Sequence, residues 1–310
     1  MKLDVVIPTY NRQSLLRRTL DSLLAAEVPD GLEARVTVVD NNSKDATRQE
    51  VEGRMADFGG RLRYVFETRQ GRSPALNAGI NATDGDLVGT IDDDEEVDGN
   101  WFRRAHAAFA AGGVDFVGGR CVPRWGAERP DWLPEDYPAA IGEVDCGEEV
   151  LPYDDDFPGI LMGGNAVFTR AILDRVGLYS TALGRNGARL LTGEDEDMYK
   201  RLRAAGARGL YLPDLVIYHY VPPERLTKRY YRRWCFWHSV SQGVLDRQSP
   251  QPVSYLGGVP RHLYGRAARR ALRRVRGAAG RNSAQNFSDE LAVIGLAGFF
   301  YGKHLYRLPG

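Results

Sequence analysis

Three consecutive carboxylates, Asp92, Asp93 and Asp94, follow the apolar run 87–91 directly. Carboxylates this close repel one another, and a hard divalent cation offsets the repulsion while it bridges carboxylate and phosphate oxygens. In an extended backbone Asp92 and Asp94 point to the same side, so both can serve one pocket. The alternative is a solvated acidic turn. A similar run at 154–156 lies in a loop, and we interpret it as a surface feature.

A second acidic cluster opens a helical pattern. Glu194 and Asp195 follow Gly193, and Met198 and Leu202 continue at helical spacing. Acidic side chains stabilise a helix N-terminus through its dipole, and position alone favours that structural interpretation. The functional interpretation is that one carboxylate faces a pocket as a general base.

The elements that must position these residues are predicted from hydrophobic periodicity. Short apolar runs alternate with amphipathic stretches over residues 1–120, which predicts an α/β fold with a mostly parallel sheet flanked by helices. Ligands of such sheets bind outside the carboxyl ends of the strands, so the polar residues after each strand should converge on one edge. These are 8–12, 40–43, 67–69 and 92–94.

The turn after the first strand tests a rival class. A dinucleotide-binding domain needs G-x-G-x-x-G at this turn, so that the backbone can approach a pyrophosphate. Residues 8–12 read Pro-Thr-Tyr-Asn-Arg, without a glycine. The turn therefore disfavours NAD or FAD binding, and it also lacks the glycine-rich loop expected of a nucleotidyltransferase.

Taken together, six motifs resemble family 2 glycosyltransferases of GT-A fold, over roughly residues 3 to 245. The resemblance implies a Rossmann-like GT-A domain that binds a nucleotide-diphosphate sugar. The motifs lie in the expected order at Val5–Arg12, Val38–Ser43, Ala75–Ile80, Asp92–Asp94, Gly163–Phe168 and Gly193–Asp195.

The resemblance also implies roles for individual residues. Asp40 would hydrogen-bond the base, Asp92 would touch the ribose or sugar, and Gly164 and Asn165 would lie beneath the donor sugar and the acceptor. The residues expected to line the nucleotide and donor are Pro8, Thr9, Asn11, Arg12, Asp40, Asn42, Arg69, Gly71, Asn77, Asp92 and Asp93.

Catalysis is assigned by the same resemblance. Asp94 would hold Mg²⁺ or Mn²⁺ on the diphosphate, and His219 would be a third metal ligand or phosphate contact, with a structural histidine as the alternative. Asp195 would be the base that deprotonates the acceptor hydroxyl, supported by Glu194. The same resemblance implies a single displacement with inversion, in which the cation neutralises the charge on the leaving diphosphate.

One departure from the family bears on the product. Processive members carry a Q-x-x-R-W motif beside transmembrane helices, whereas Tyr230 to Trp234 keeps only the Arg-Trp ending. The longest apolar run, 291–301, is too short to span a bilayer. We therefore expect transfer of one sugar rather than polymer synthesis.

Composition and charge are ordinary overall and uneven locally. The formal net charge is zero, but residues 247–288 contain no acidic residue and many arginines, Arg261 to Arg281 among them. A basic helix followed by a short apolar helix at 291–301 suggests contact with an anionic membrane surface. Packing on the protein itself is the alternative, and nucleic acid is not expected.

The remaining expectations concern compartment and domains. Three cysteines without CxxC spacing, and no signal peptide before the first strand, predict a cytoplasmic protein, with peripheral attachment to the cytoplasmic face of the membrane as the second option. We expect a catalytic domain at 1–222, with a nucleotide half at 1–120 and an acceptor half at 121–222, and a helical extension at 223–310.

A UDP-sugar is favoured as donor, with surface polysaccharide, glycolipid or another glycoconjugate as product. A catalytically silent nucleotide-sugar-binding scaffold is the alternative from another class, and the oligomeric state is left open.

Overall fold

A computed structural model describes residues 1–184, 190–276 and 283–307, with the side chains of 274–276 left out. The strands are β1 Lys2–Thr9, β2 Glu33–Asp40, β3 Leu62–Phe66, β4 Leu87–Thr90, β5 Glu95–Val97, β6 Phe116–Trp125, β7 Leu151–Pro152, β8 Ala166–Thr169, β9 Gly209–Val221, β10 Tyr255–Leu256 and β11 Val259–Pro260. The α-helices are α1 Gln13–Ala25, α2 Thr47–Arg54, α3 Arg72–Asn81, α4 Trp101–Ala110, α5 Arg170–Val176, α6 Glu194–Ala204, α7 Lys228–Gln248, α8 Arg261–Arg276 and α9 Ser283–His304. Short 3₁₀ turns lie at Pro138–Ile141 and Pro223–Arg225.

In the residues described, nine strands form one sheet in the order β3-β2-β1-β4-β8-β6-β9-β5, and β7 pairs with β9. The first four strands in this order are parallel, as the alternating pattern predicts. Strand β8 joins antiparallel to β4 and β6, and β5 and β7 join antiparallel to β9. The carboxyl ends of β1, β2, β3 and β4 therefore meet at one edge.

Two glycines let helices approach this sheet closely. Gly79 lies in α3, where an added Cβ would stand 2.3 Å from Val6 Cγ1 and 2.8 Å from Val39 Cγ2. Gly89 lies in β4, and a Cβ there would stand 3.1 Å from the ring of Trp101 in α4. A larger side chain at either position would push a helix away from the sheet. These two glycines therefore determine how closely α3 and α4 pack on the sheet.

The chain divides into two compact units. The first contains residues 1–124, 142–181 and 194–220, and the second contains 125–141, 182–193 and 221–310. The first unit holds the sheet and the acidic motifs. The second contains the C-terminal helices together with two earlier segments that the sequence pattern assigned to the first 222 residues.

Helices α7 and α9 pack at backbone distance in the second unit. Added Cβ atoms at Gly298 and Gly302 would stand 2.4 Å from Phe236 O and 2.1 Å from Val240 O. The predicted apolar helix at 291–301 is the middle of α9, and its Leu291 and Phe299 are buried. Its inward face therefore packs within the protein. Among the described residues, no helix is long and apolar enough to span a bilayer.

Candidate active site

The acidic run after β4 turns directly into β5, and the pairing of β5 with β9 brings a histidine beside it. Glu95 and His219 are register partners in this antiparallel pair, and Tyr220 N–H donates to Asp94 O at 2.8 Å. His219 Nε2 consequently lies 3.7 Å from Asp94 Oδ2, with both side chains buried. The structure thus brings together the two residues predicted as metal ligands.

A glycine makes the space that this histidine needs. Gly142 has a positive φ of 69°, and an added Cβ would stand 2.6 Å from His219 Nδ1. Any side chain here would be strained and would displace the imidazole. Gly142 therefore fixes the side on which His219 can lie.

Arg12 is the charge partner of Asp93 and Asp94. Its Nη1 donates to Asp93 Oδ1 at 2.9 Å and to Asp94 Oδ2 at 3.0 Å, and Thr9 Oγ1 donates to Asp93 Oδ2 at 2.8 Å. Burial raises the pKa of Asp93 to about 6, and Arg12 opposes that rise. The Asp94 oxygen closest to His219 is thus the same oxygen that Arg12 holds.

Arg72, the first residue of α3, joins the acidic run to the start of α6. Its Nε donates to Asp92 Oδ1 at 2.8 Å, while Nη1 lies 3.0 Å from Asp195 Oδ1 and 3.3 Å from Glu194 Oε1. The Arg72 side chain is only 13% exposed. Burial lowers its pKa, but Asp195, Asp92 and Glu194 together raise that pKa well above its ordinary value.

The glycine pair at 163 and 164 lies against two of these carboxylates. An added Cβ at Gly163 would stand 2.0 Å from Asp195 Oδ1, and one at Gly164 would stand 2.2 Å from Glu95 Oε1. Glu95 Oε2 in turn accepts the Asp92 N–H at 2.7 Å, which closes the turn of the acidic run. Burial, and then Asp92 and Asp94, raise the pKa of Glu95 well above its usual range.

Two residues predicted to contact the donor or acceptor have their amides engaged elsewhere. Asn165 is fully buried, and its side chain accepts from Trp101 Nε1 at 2.9 Å and donates to the carbonyls of Arg120 and Leu215. Asn77 exchanges two hydrogen bonds with the backbone of Tyr179, at 2.8 and 2.9 Å. Both side chains therefore join segments of the protein, and their expected places beside donor and acceptor stay a prediction.

The residues predicted to bind the nucleoside line two loops that hydrogen-bond to each other. Asn11 N donates to Ser43 Oγ at 2.9 Å, and Lys44 N donates to Asn11 Oδ1 at 2.7 Å. Asn11 and Asn42 both have positive φ, at 52° and 68°, a conformation that asparagine tolerates better than most residues. Pro8 is buried near the end of β1, which leads into this loop pair.

Asp40 ends β2 at the floor of the same loops. Its Oδ1 accepts from Ser43 N at 2.8 Å, and its Oδ2 accepts from Tyr64 OH at 2.7 Å. Burial and this hydrogen bond raise the pKa of Tyr64. Each carboxylate oxygen can accept a second hydrogen bond, so Asp40 can also serve a base.

Asn41 braces the loop before α3. Its amide donates to the carbonyls of Glu67 and Arg69 and accepts from Gly71 N at 2.7 Å. Gly71 has φ 134°, a conformation that favours glycine. Arg69 is 69% exposed and pairs with Glu67 at 2.8 Å.

Sequence reasoning missed Arg72, Glu95, Asn41 and Gly142. Arg72 lies just before the motif at 75–80, and Glu95 directly follows the motif at 92–94. The available signal was a charged residue close to the other charged residues of the predicted site. Asn41 lies inside the motif at 38–43, where no role was predicted for it.

The run at 154–156 lies in a loop, where Asp155 is 97% exposed and pairs with Arg203. This placement agrees with the surface interpretation.

The residues present fit a divalent cation that takes part of its coordination from a substrate. Among the described residues, no three His, Cys, Asp or Glu side chains gather closely enough to hold a metal ion. Asp94 and His219 offer one oxygen and one nitrogen side by side. Mg²⁺ is commonly held by one or two carboxylates together with substrate phosphates and water, and such a donor set suits that arrangement.

The fold, with carboxylates at the ends of its parallel strands, is that of a nucleotide-sugar glycosyltransferase of GT-A type. The sequence model described as Glycosyl transferase family 2 matches residues 4–177, and the chain belongs to that family. The expected family, fold and enzyme class are thereby confirmed.

Curated relatives and solved structures agree with this assignment. Succinoglycan biosynthesis protein ExoM of Rhizobium meliloti is 28% identical over 239 residues, 75% of this chain and 72% of that protein. Glucosyl-dolichyl phosphate glucuronosyltransferase of Haloferax volcanii is 27% identical over 257 residues, 81% and 79% of the two chains. Mannosyltransferase PcManGT from Pyrobaculum calidifontis, solved with GDP-Man and Mn²⁺, has a TM-score of 0.63 at 20% identity and covers 97% of this chain and 88% of its own. S. aureus TarS 1–349 with UDP has a TM-score of 0.52 at 17% identity, with 99% and 91% covered.

Proposed function

We propose that this glycosyltransferase moves one sugar, with inversion, from a nucleotide-diphosphate sugar to an acceptor hydroxyl. The observation that carries the proposal is the Arg72 guanidinium, which contacts Asp92 among the donor residues and Asp195, the assigned base. The planar guanidinium of Arg72 therefore fixes the distance between Asp92, a proposed donor-binding residue, and Asp195, the proposed base. Fixed orientation of the reacting groups is a major source of rate enhancement.

Asp94 and His219 are the residues that would hold Mg²⁺ or Mn²⁺. The cation would neutralise the charge that develops on the leaving diphosphate. The chain contributes a fixed Asp94, whose backbone carbonyl accepts from Tyr220 N, and an imidazole confined by Gly142. The Mn²⁺ bound in PcManGT supports this assignment.

Asp195 is the proposed general base. A carboxylate has about four lone-pair sites on its two oxygens, so Asp195 can take the acceptor proton while it keeps its bond to Arg72. Glu194 supports it through the same Arg72 nitrogen. Gly163 leaves room for the Asp195 carboxylate, because a side chain there would overlap it.

Arg12 is proposed to be the counter-charge of Asp93 and Asp94 before a cation binds. It shares one Asp94 oxygen with the nearby His219, so a cation that binds this oxygen must compete with the guanidinium. Once released from Asp94, Arg12 can pair with a diphosphate oxygen, for which its planar donor pattern is suited.

Donor and acceptor classes rest on the nucleoside loops and on the relatives. The Asp40 carboxylate can accept the N–H of uracil, and TarS binds UDP, which supports a UDP-sugar. The names of relatives include a dolichyl phosphate glucuronosyltransferase and a PP-undecaprenol glucosyltransferase. We therefore propose a saccharide or lipid-linked saccharide acceptor in polysaccharide or glycolipid synthesis, at the cytoplasmic face of a membrane, with catalysis assigned to residues 1–222.

The scaffold alternative requires loss of the base or of the metal ligand, whereas Asp94 and Asp195 are both present and partnered. Nucleotidyl transfer has no specific observation in its favour. The enzyme proposal is the one that the geometry supports.

A donor panel tests the proposal. Binding and slow hydrolysis of UDP-, GDP- and dTDP-sugars are measured with Mn²⁺, with Mg²⁺ and with EDTA, on the wild type and on Asp94→Ala. Metal-dependent binding of one donor, weakened by Asp94→Ala, is expected. Absence of binding to every donor under every metal condition would overturn the proposal.

A further inference from the structure

Two apolar side chains are exposed near the start of α8, Leu256 in the small hairpin of β10 and β11 and Val253 in the segment just before it. Val253 is 41% exposed and Leu256 is 59% exposed. The hairpin is held firmly, since His304 lies 2.9 Å from Gly257 O and Arg261 N donates to Ser254 O at 2.8 Å. The two apolar side chains are thus presented on a fixed support.

The solvent side of α8 is basic. Arg261, Arg266, Arg269 and Arg273 are exposed, and at 3.6 residues per turn they fall within about 140° of the helix circumference. The opposite side packs on α9 and contains the buried Ala267.

This positive charge has little compensation nearby. Residues 247–288 contain no Asp or Glu. Within the described part of the chain, Arg261, Arg266 and Arg269 form no ion pair, and Arg273 reaches Asp289 only at 3.8 Å. By contrast Arg270, on the inner side of α8, pairs with Asp136 at 2.9 Å. Arg261, Arg266 and Arg269 are therefore separate from the ion pairs that Arg270 and Arg273 form.

We propose that Val253, Leu256 and the outward arginines of α8 form a docking surface for an anionic lipid bilayer. Arginines beside protruding apolar side chains suit the bilayer interface, where headgroups are charged and the acyl boundary is apolar. A nucleic acid would match the charge but would leave Val253 and Leu256 in water. The inference deepens the proposed function, because such docking would bring the enzyme to a lipid-linked acceptor.

The test uses the full chain and vesicles without any donor sugar. Cosedimentation is compared for vesicles of phosphatidylcholine alone and for vesicles with about 30% phosphatidylglycerol, at low and high salt. Binding to the anionic vesicles only, lost at about 1 M salt where the Debye length is about 3 Å, is expected. Equal binding to neutral vesicles, or no binding to either, overturns the proposal.

Matched variants identify the surface. The triple variant Arg261→Gln, Arg266→Gln, Arg269→Gln is expected to weaken anionic-vesicle binding by roughly 100-fold, since each arginine near such a surface contributes about fivefold. The single variant Leu256→Ser is also expected to weaken binding to anionic vesicles. Its matched control is Val150→Ser, at a side chain that is 56% exposed in the first unit. The charge control is Arg48→Gln, Arg103→Gln, Arg175→Gln, which removes three exposed arginines elsewhere.

Each remaining outcome has a defined meaning. Equal losses in the charge control and the α8 triple variant overturn the proposal, because binding would then depend on net charge alone. The proposal is also overturned if the protein binds single-stranded RNA more tightly than vesicles. It is overturned as well if sedimentation shows a dimer that dissociates in the α8 triple variant. Donor binding is measured separately without lipid, so vesicle binding with no donor binding would remove the proposed function and leave the docking surface standing.

Discussion

Arg72 Nη1 lies 3.0 Å from Asp195 Oδ1, while Nε of the same guanidinium lies 2.8 Å from Asp92 Oδ1. Two carboxylates 103 positions apart in the sequence are therefore held by one planar, largely buried cation. Since all the donors lie in one plane, the orientation of Asp195 is coupled to that of the acidic run. Lysine could not reproduce this, because its ammonium is a single point charge.

Arg72→Lys is expected to lower kcat by roughly 100-fold, in line with the usual cost of misplacing a catalytic group by about 1 Å. Steady-state kinetics with the donor identified by the panel would measure it. The control is Arg104→Lys, in an exposed pair with Asp214 outside the candidate site, which should change kcat little. Equal activity of Arg72→Lys and wild type would remove Arg72 from the positioning role.

Arg12→Gln is expected to tighten donor-free Mn²⁺ binding by about tenfold, because it removes a positive charge that contacts Asp94. Titration calorimetry or the Mn²⁺ paramagnetic signal would follow it. Weaker Mn²⁺ binding in the variant would contradict the proposed competition between Arg12 and the cation.

Gly164→Ala is expected to destabilise the fold by about 1–3 kcal/mol, the usual range for overpacking, because the new methyl would overlap Glu95 Oε1. Thermal unfolding would measure this change. The matched control is Gly53→Ala, in helix α2, where nothing lies within 4 Å of the new Cβ. That control should be neutral or stabilising by up to about 1 kcal/mol. Similar unfolding temperatures for the two variants would refute the close packing at Gly164.

Glu50, which lies outside the candidate active site, is expected to make the stability of the fold depend on pH. It accepts hydrogen bonds from Arg17, Arg54 and Gln13, which together lower its pKa from 4.5 to about 2 against the effect of burial, with Arg17 contributing most. A lowered folded-state pKa contributes stability that is present above pH 4.5 and lost as pH falls toward 2. Glu50→Gln should therefore reduce stability most above pH 4.5 and flatten its pH dependence below. An unchanged slope of unfolding free energy against pH in this window would contradict the assignment.

The sequence predicted the parallel strands and the acidic run because both are local patterns. Apolar runs such as Leu3–Ile7 and the carboxylates at 92–94 can be read without knowing any long-range contact. The Arg72 bridge and the His219–Asp94 pair depend on contacts across 123 and 125 positions, so only the sheet order places them. The hydrogen bonds of Asn165 to Trp101, Arg120 and Leu215 also depend on long-range contacts, since its motif identifies the position but not the direction of its amide.

The central claim, that Asp195 is the base of an inverting single displacement, is tested most directly with Asp195→Asn, using the donor identified by the panel and an accepting saccharide. Metal-dependent donor binding and transfer are measured together, and NMR gives the anomeric configuration of the wild-type product. The account predicts inversion by the wild type, and in the variant near-normal donor binding with transfer lowered by about 10²–10⁴-fold, the usual range for loss of a general base. Retention of configuration, or transfer by Asp195→Asn at the wild-type rate, would contradict it.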